Sequence, residues 1–199
     1  MSGNQPARMT IAAALQTLVE LRTDQIVVTT MGAAREWPKL SSHPLDLQYL
    51  PSAMGQAPAL ALGLALAQPG REVIVFNGDG CMLMNLGALV TIVASGAKNL
   101  TLIVLENGLY EVTGGQPTAG VAAHVDFAAM ARAAGFATVA AFDSADDWRQ
   151  QAREILSRPG PRFIALAIEP VGAAFALPAV EPIGPRLAKF QQALSAATI

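Results

Sequence analysis

Apolar and polar positions alternate in two rhythms along the chain. Ile11, Leu15, Leu18 and Val19 recur every three or four residues, which predicts an amphipathic helix over 9–22. A β-branched run over 25–30 then predicts a strand. Residues 31–52 are rich in Pro and Ser with weak periodicity, and read as a long irregular connection with one short strand near 47–50. A buried helix is expected over 55–67, where Pro58 falls in the first turn and its missing N–H is harmless. Next come an apolar strand over 72–77, a helix over 82–95 capped by Gly96, and a second apolar strand over 100–105. A Gly-rich loop over 107–120 leads to a helix from Asp126 to Gly135, a strand over 137–142 and a helix capped by Ser144, with Asp147 at the capping-box position. A strand over 162–168, a Pro-punctuated segment over 169–185 and a helix over 186–196 complete the chain.

Strands that are apolar throughout, each followed by a helix, imply a parallel sheet covered on both faces, so the expected fold is doubly wound α/β. In such sheets ligands bind beyond the carboxyl ends of the strands, which directs attention to the loops at 29–35, 78–82 and 106–120.

Composition narrows the reading. At 199 residues a single domain over 1–199 is expected, with 169–199 as a Pro-rich segment and C-terminal helix. Hydrophobic residues make up 52% and charged residues 14%, which excludes the composition of a disordered chain. A net charge of −2 without a basic block argues against a nucleic-acid partner. One cysteine, Cys81, and two scattered histidines offer neither a disulfide nor a structural zinc site, and fit a cytoplasmic setting. The N-terminus lacks the pattern of a signal peptide, and the charge-free stretch 47–70 is broken by prolines and glutamines, so no membrane span is expected. So little charge suggests surface covered by another subunit, hence an oligomer.

Candidate chemistry begins at Gly78-Asp79-Gly80, where a strand ends and a helix opens. Glycines let backbone approach an anion there, and the carboxylate can hold a cation beside it. The neighbouring strand ends at Glu106-Asn107-Gly108, which brings Asn107 beside Asp79. Two oxygen ligands plus a diphosphate suit Mg²⁺.

Gly-Asp-Gly, about 26 residues and then Asn, with Asn85-Leu86-Gly87 between, resembles the motif of the thiamine diphosphate-dependent enzymes. The resemblance covers the first helix to about Ile168 and corresponds to their diphosphate-binding domain. It implies thiamine diphosphate and Mg²⁺ as cofactors, with Asp79, Asn107 and the Leu109 carbonyl as metal ligands. Gly78, Gly80 and Cys81 then lie against the diphosphate, with Cys81 where relatives often have Ser. Ser52-Ala53-Met54-Gly55 looks like the loop whose apolar residue, here Met54, wedges under the cofactor. Thr30 and Gly32 match the other diphosphate-side loop.

In that family a Glu from a separate pyrimidine-binding domain activates the cofactor. None of the eight Glu here lies in a second α/β domain, so the resemblance implies a pyrimidine-binding α subunit as partner and leaves the catalytic group outside this chain. The segments Met31-Gly32 with Arg35-Glu36, and Gly114-Gly115-Gln116-Pro117-Thr118, look most like the sulfopyruvate and phosphonopyruvate decarboxylases. The first of these is often split into subunits, its β subunit being near this length. The implied reaction is decarboxylation of a small 2-oxoacid. Another 2-oxoacid lyase or carboligase, or a non-catalytic homo-oligomer retaining the fold, stays open. Thr113 is a candidate for contact with the reacting groups. Glu111 reads more simply as a solvated loop carboxylate, and Arg35 as the partner of a nearby acid. His43 and His124 receive no role.

Overall fold

The computed structural model describes residues 8–172 and 175–196. Six parallel strands form one sheet in the order β2-β1-β3-β4-β8-β7. They are β1 (Ile26–Thr29), β2 (Asp46–Gln48), β3 (Val73–Gly78), β4 (Leu100–Glu106), β7 (Thr138–Phe142) and β8 (Arg162–Ala167). Because side chains alternate across a strand, Val73, Val75, Leu102 and Val104 enter one core layer while Ile74, Phe76, Ile103 and Leu105 enter the other. The first layer is closed by α3 (Ala57–Ala67), α5 (Gly87–Ala94), α7 (Phe127–Ala134) and Phe190 of α9 (Ile183–Ala196). The second is closed by α1 (Ile11–Leu21), α2 (Met31–Leu40) and α8 (Ala145–Ser157). In this second layer the buried Trp148 indole N–H donates to the Ala14 carbonyl at 3.0 Å, and Trp37 packs on Phe76 with ring centres 5.4 Å apart.

The doubly wound expectation holds. From β1 the chain moves outward to β2 and then returns to the other side of β1 as β3, so the loops leaving β1 and β3 diverge and open a crevice between them.

Four local expectations are corrected. Residues 31–40 are helical, not irregular. Pro38 lies inside α2 and cannot bond the Ala34 carbonyl one turn back, but the Gln48 side chain donates to that oxygen at 2.7 Å and replaces the missing amide. The short strand is Asp46–Gln48, slightly earlier than expected. The helix expected over 82–95 is two helices, α4 (Asp79–Met84) and α5. Asn85 ends α4 because its side-chain amide turns away to the Gly55 carbonyl at 3.1 Å. Finally, α9 starts at Ile183, since Pro185 sits in the first turn, where an amide has no helical partner. The loop over 107–120 also carries a small hairpin, β5 (Leu109–Tyr110) with β6 (Gln116–Pro117), followed by the short α6 (Ala119–Ala122). Among the described residues, no helix is long and apolar enough to cross a membrane.

Candidate functional site

One cleft opens at the carboxyl ends of β1, β3 and β4. Gly78 pairs with Leu105, so the residues that follow, Asp79 on one strand exit and Asn107 on the next, emerge together. Asp79 is 4% exposed. Its Oδ2 accepts from the Gly108 amide at 2.9 Å and from the Thr118 hydroxyl at 3.5 Å. Burial pushes the carboxyl above its ordinary range, while amides from Gly80 and Gly108 pull it partly back. A cation beside Asp79 would relieve the burial cost by favouring the charged form.

Asn107 is held at both ends of its amide. Its Oδ1 accepts from the Leu109 amide at 2.9 Å, and its Nδ2 donates to Glu111 Oε2 at 2.8 Å. A carboxylate only accepts, which assigns the amide nitrogen to the Glu111 side. Opposite Leu109 in the hairpin stands Pro117, which has no N–H to give, so the Leu109 carbonyl takes no bond from the residue across.

Thr30, Gly32, Met54, Gly78, Gly80 and Cys81 also border this cleft, as does Leu109. The Thr30 hydroxyl donates to the Phe76 carbonyl at 3.0 Å, tying the β1 exit to β3. A Cβ on Gly78 would meet nothing within 4 Å, whereas one on Gly80 would collide with the Tyr110 ring, so glycine at 80 is what lets that ring pack on the turn. The Cys81 thiol is buried and pushed up by that burial. Met31 holds φ at +49° where β1 turns into α2, a strained conformation of the kind that concentrates at ligand sites.

Ser52 and Gly55, which flank Met54 in sequence, do not line the cleft. The Ser52 hydroxyl is buried without a hydrogen-bond partner. Gly55 has φ +83°, and a Cβ there would come within 3.1 Å of the Cys81 carbonyl. Thr113 is exposed, does not line the cleft, and donates to the Tyr110 carbonyl at 3.4 Å. Arg35 does pair with a nearby acid, its Nε lying 3.3 Å from Glu36. His43 belongs to a cluster with Arg22 and Asp46, where burial and Arg22 lower its pKa.

Sequence reasoning missed part of the wall. Ile11, Tyr110, Val112, Ile168 and Phe175 line it too, and Phe175 comes from a Pro-punctuated segment with no periodicity to reveal it. Glu111 is half-buried and doubly bonded, not a solvated loop carboxylate. Its four-residue offset from Asn107 was the available signal.

The donor set suits a hard cation. Among the described residues no three His, Cys, Asp or Glu side chains cluster to hold a metal, so an ion at Asp79 would rely on neutral oxygens and an added anion, as Mg²⁺ shared with a phosphate does. The profile of the thiamine pyrophosphate enzymes, C-terminal TPP binding domain, matches residues 25–166. The chain belongs to this family. It is 42% identical over 170 residues to phosphonopyruvate decarboxylase of Streptomyces viridochromogenes, covering 84% of this chain and 42% of that protein. It is 35% identical over 161 residues to sulfopyruvate decarboxylase subunit beta of Methanothermobacter thermautotrophicus, covering 80% of this chain and 82% of that subunit. The chain thus spans less than half of the first relative and most of the second. Benzoylformate decarboxylase of Polynucleobacter necessarius shares the fold with a TM-score of 0.66 at 19% identity, covering 85% of this chain and 34% of that one.

Proposed function

We propose that this chain is the diphosphate-binding part of a thiamine diphosphate-dependent decarboxylase acting on a three-carbon 2-oxoacid with a second anionic group, as in sulfopyruvate or phosphonopyruvate. The observation that carries the reading is the buried Asp79 carboxylate, fixed by the Gly108 amide beside the clamped Asn107. In this reading Asp79, Asn107 Oδ1 and the Leu109 carbonyl hold Mg²⁺. The backbone at Gly78 and Gly80, with Thr30, Gly32 and Cys81, receives the diphosphate. Met54 supports the cofactor from below, with Ser52 and Gly55 holding its loop. When bound, thiamine diphosphate supplies a nucleophilic carbon and an electron sink for loss of CO₂. The residues of this chain orient the cofactor, and the apolar wall of Val112, Ile168 and Phe175 limits water around it.

The phosphonopyruvate and sulfopyruvate decarboxylases among the relatives support the substrate class, and the sulfopyruvate decarboxylase β subunit supports a pyrimidine-side partner that brings the activating carboxylate. The outer faces of α3 and α5, uncharged and exposed, suit such a partner in a hetero-oligomer. A single cysteine, with no second one in the chain to pair with, suits a cytoplasmic setting.

The test is calorimetric titration of the chain with thiamine diphosphate and Mg²⁺, alone and mixed with a pyrimidine-side subunit. Binding in the mixture, with decarboxylation of sulfopyruvate or phosphonopyruvate, is the expected result. Asp79→Ala should weaken binding by about 100-fold or more, because it removes the single charged metal ligand. No binding in either setting would overturn the reading.

A further inference from the structure

We propose that Glu111 is a positioning residue that orients the Asn107 side chain for the metal and couples that orientation to the docking of the segment after β8. The inference rests on the cofactor reading above. Glu111 opens the 3-10 turn Glu111–Thr113 and uses its two oxygens on two different parts of the chain. Oε2 accepts from Asn107 Nδ2 at 2.8 Å, and Oε1 accepts from the Gly172 amide at 2.9 Å. A side-chain amide without a fixed partner can rotate by half a turn and present its NH₂ group where an oxygen is needed. The acceptor-only carboxylate removes that alternative and keeps Asn107 Oδ1 turned away from Glu111.

The second bond reaches farther. Gly172 has φ +79°, and its carbonyl accepts from the Phe175 amide at 2.9 Å. Phe175, tied in this way to Gly172, lines the cleft wall with its ring centre 5.6 Å from the Arg35 guanidinium. Glu111 therefore spans the metal-side loop and the segment that completes the wall. Because both bonds share one carboxylate, whatever fixes its orientation at Asn107 also favours the bond to Gly172, and the effect runs equally in the other direction.

Glu111→Gln separates this role from simple packing. The substitution keeps the shape but leaves one acceptor oxygen for two donors, so one bond must fail. Two measurements are made: Mg²⁺ affinity at saturating thiamine diphosphate, by calorimetry on the chain mixed with its pyrimidine-side subunit, and hydrogen exchange at the Gly172 amide. In the unsubstituted protein, thiamine diphosphate with Mg²⁺ should slow Gly172 exchange. In the variant, Mg²⁺ affinity should fall by about 10-fold or more, the size expected for loss of a partner that orients a metal ligand, and the cofactor effect on Gly172 should vanish. Unchanged Mg²⁺ affinity would overturn the inference, even with faster Gly172 exchange, because Glu111 would then be a structural bridge only. A mixture of unsubstituted subunits that takes up no thiamine diphosphate would overturn the cofactor reading, whereas equal binding by both proteins overturns the inference alone.

Discussion

The two sides of the sheet are buried equally well and finished very differently on the outside. On one side α8 turns Asp146, Asp147, Arg149, Arg153 and Glu154 to solvent, and Arg149 reaches Glu20 of α1 at 3.0 Å. On the other side α3 and α5 expose Ala59, Gly63, Leu66, Gly87, Val90 and Ala94, with Leu66 54% and Val90 61% open. No charged residue occurs from 47 to 70 or from 80 to 97. A single exposed leucine means little, but two adjacent helices without a charge form a surface of the kind that meets another protein. In the proposed reading it is the second side, at α3 and α5, that would receive the partner subunit.

The strongest way to break this contrast is to charge the second side. Leu66→Asp combined with Val90→Asp should weaken association with the pyrimidine-side subunit by roughly 100-fold or more, since unpaired charges would be buried. Light scattering of the mixture reads the loss, and circular dichroism should show an unchanged fold. Arg149→Ala on α8 serves as the matched substitution and should leave association intact. If the doubly charged variant still assembles, that face is not where the partner sits.

The next effect is on stability and concerns the side that is sealed within the chain. Trp148→Ala removes a fully buried ring and its bond to Ala14, and should cost about 3–5 kcal/mol in urea unfolding. A cost near 1 kcal/mol would mean that α8 and α1 are held mainly by other contacts.

The smallest effect tests the one carboxyl that β4 carries on the α3 and α5 side. Glu106 shares the face of Leu102 and Val104, and burial, then Asp79 and Asp126, raise its pKa to about 7. The folded chain therefore binds this proton more tightly than the unfolded chain does. The Glu106 contribution to the stability of the cofactor-free chain should be fully present below pH 4.5, be lost as pH rises through about 7, and level off above. Glu106→Gln should flatten that slope in thermal melts. A slope that persists in the variant would assign the pH dependence to other groups.

Much of this was legible in the chain itself, because the physical signals were local. Apolar strands with helices between them specify a parallel sheet, and the Gly78-Asp79-Gly80 turn lies at a strand exit whatever surrounds it. What could not be read depends on contacts between distant residues. α2 survives Pro38 only because Gln48 folds back to Ala34, and neither residue announces the other. The helix break at Asn85 depends on a carbonyl 30 residues earlier. Tyr110 and Phe175 enter the cleft through a hairpin and an aperiodic segment, where no repeat marks the inward side. Thr113 is near the motif in sequence, but a 3-10 turn carries it outward.

Gly55 has a consequence for how this site can change. Its left-handed conformation lets the loop settle against the Cys81 carbonyl, and the Asn85 side-chain amide donates to the Gly55 oxygen. The height of residue 54 above the Gly78-Asp79-Gly80 turn is thus set by contacts of the main chain, not by the side chain at 54. Met54 is accordingly an exchangeable part on a fixed mount: another apolar residue of similar bulk can take its place without moving the loop, whereas any side chain at 55 would displace the mount and leave residue 54 at the wrong level.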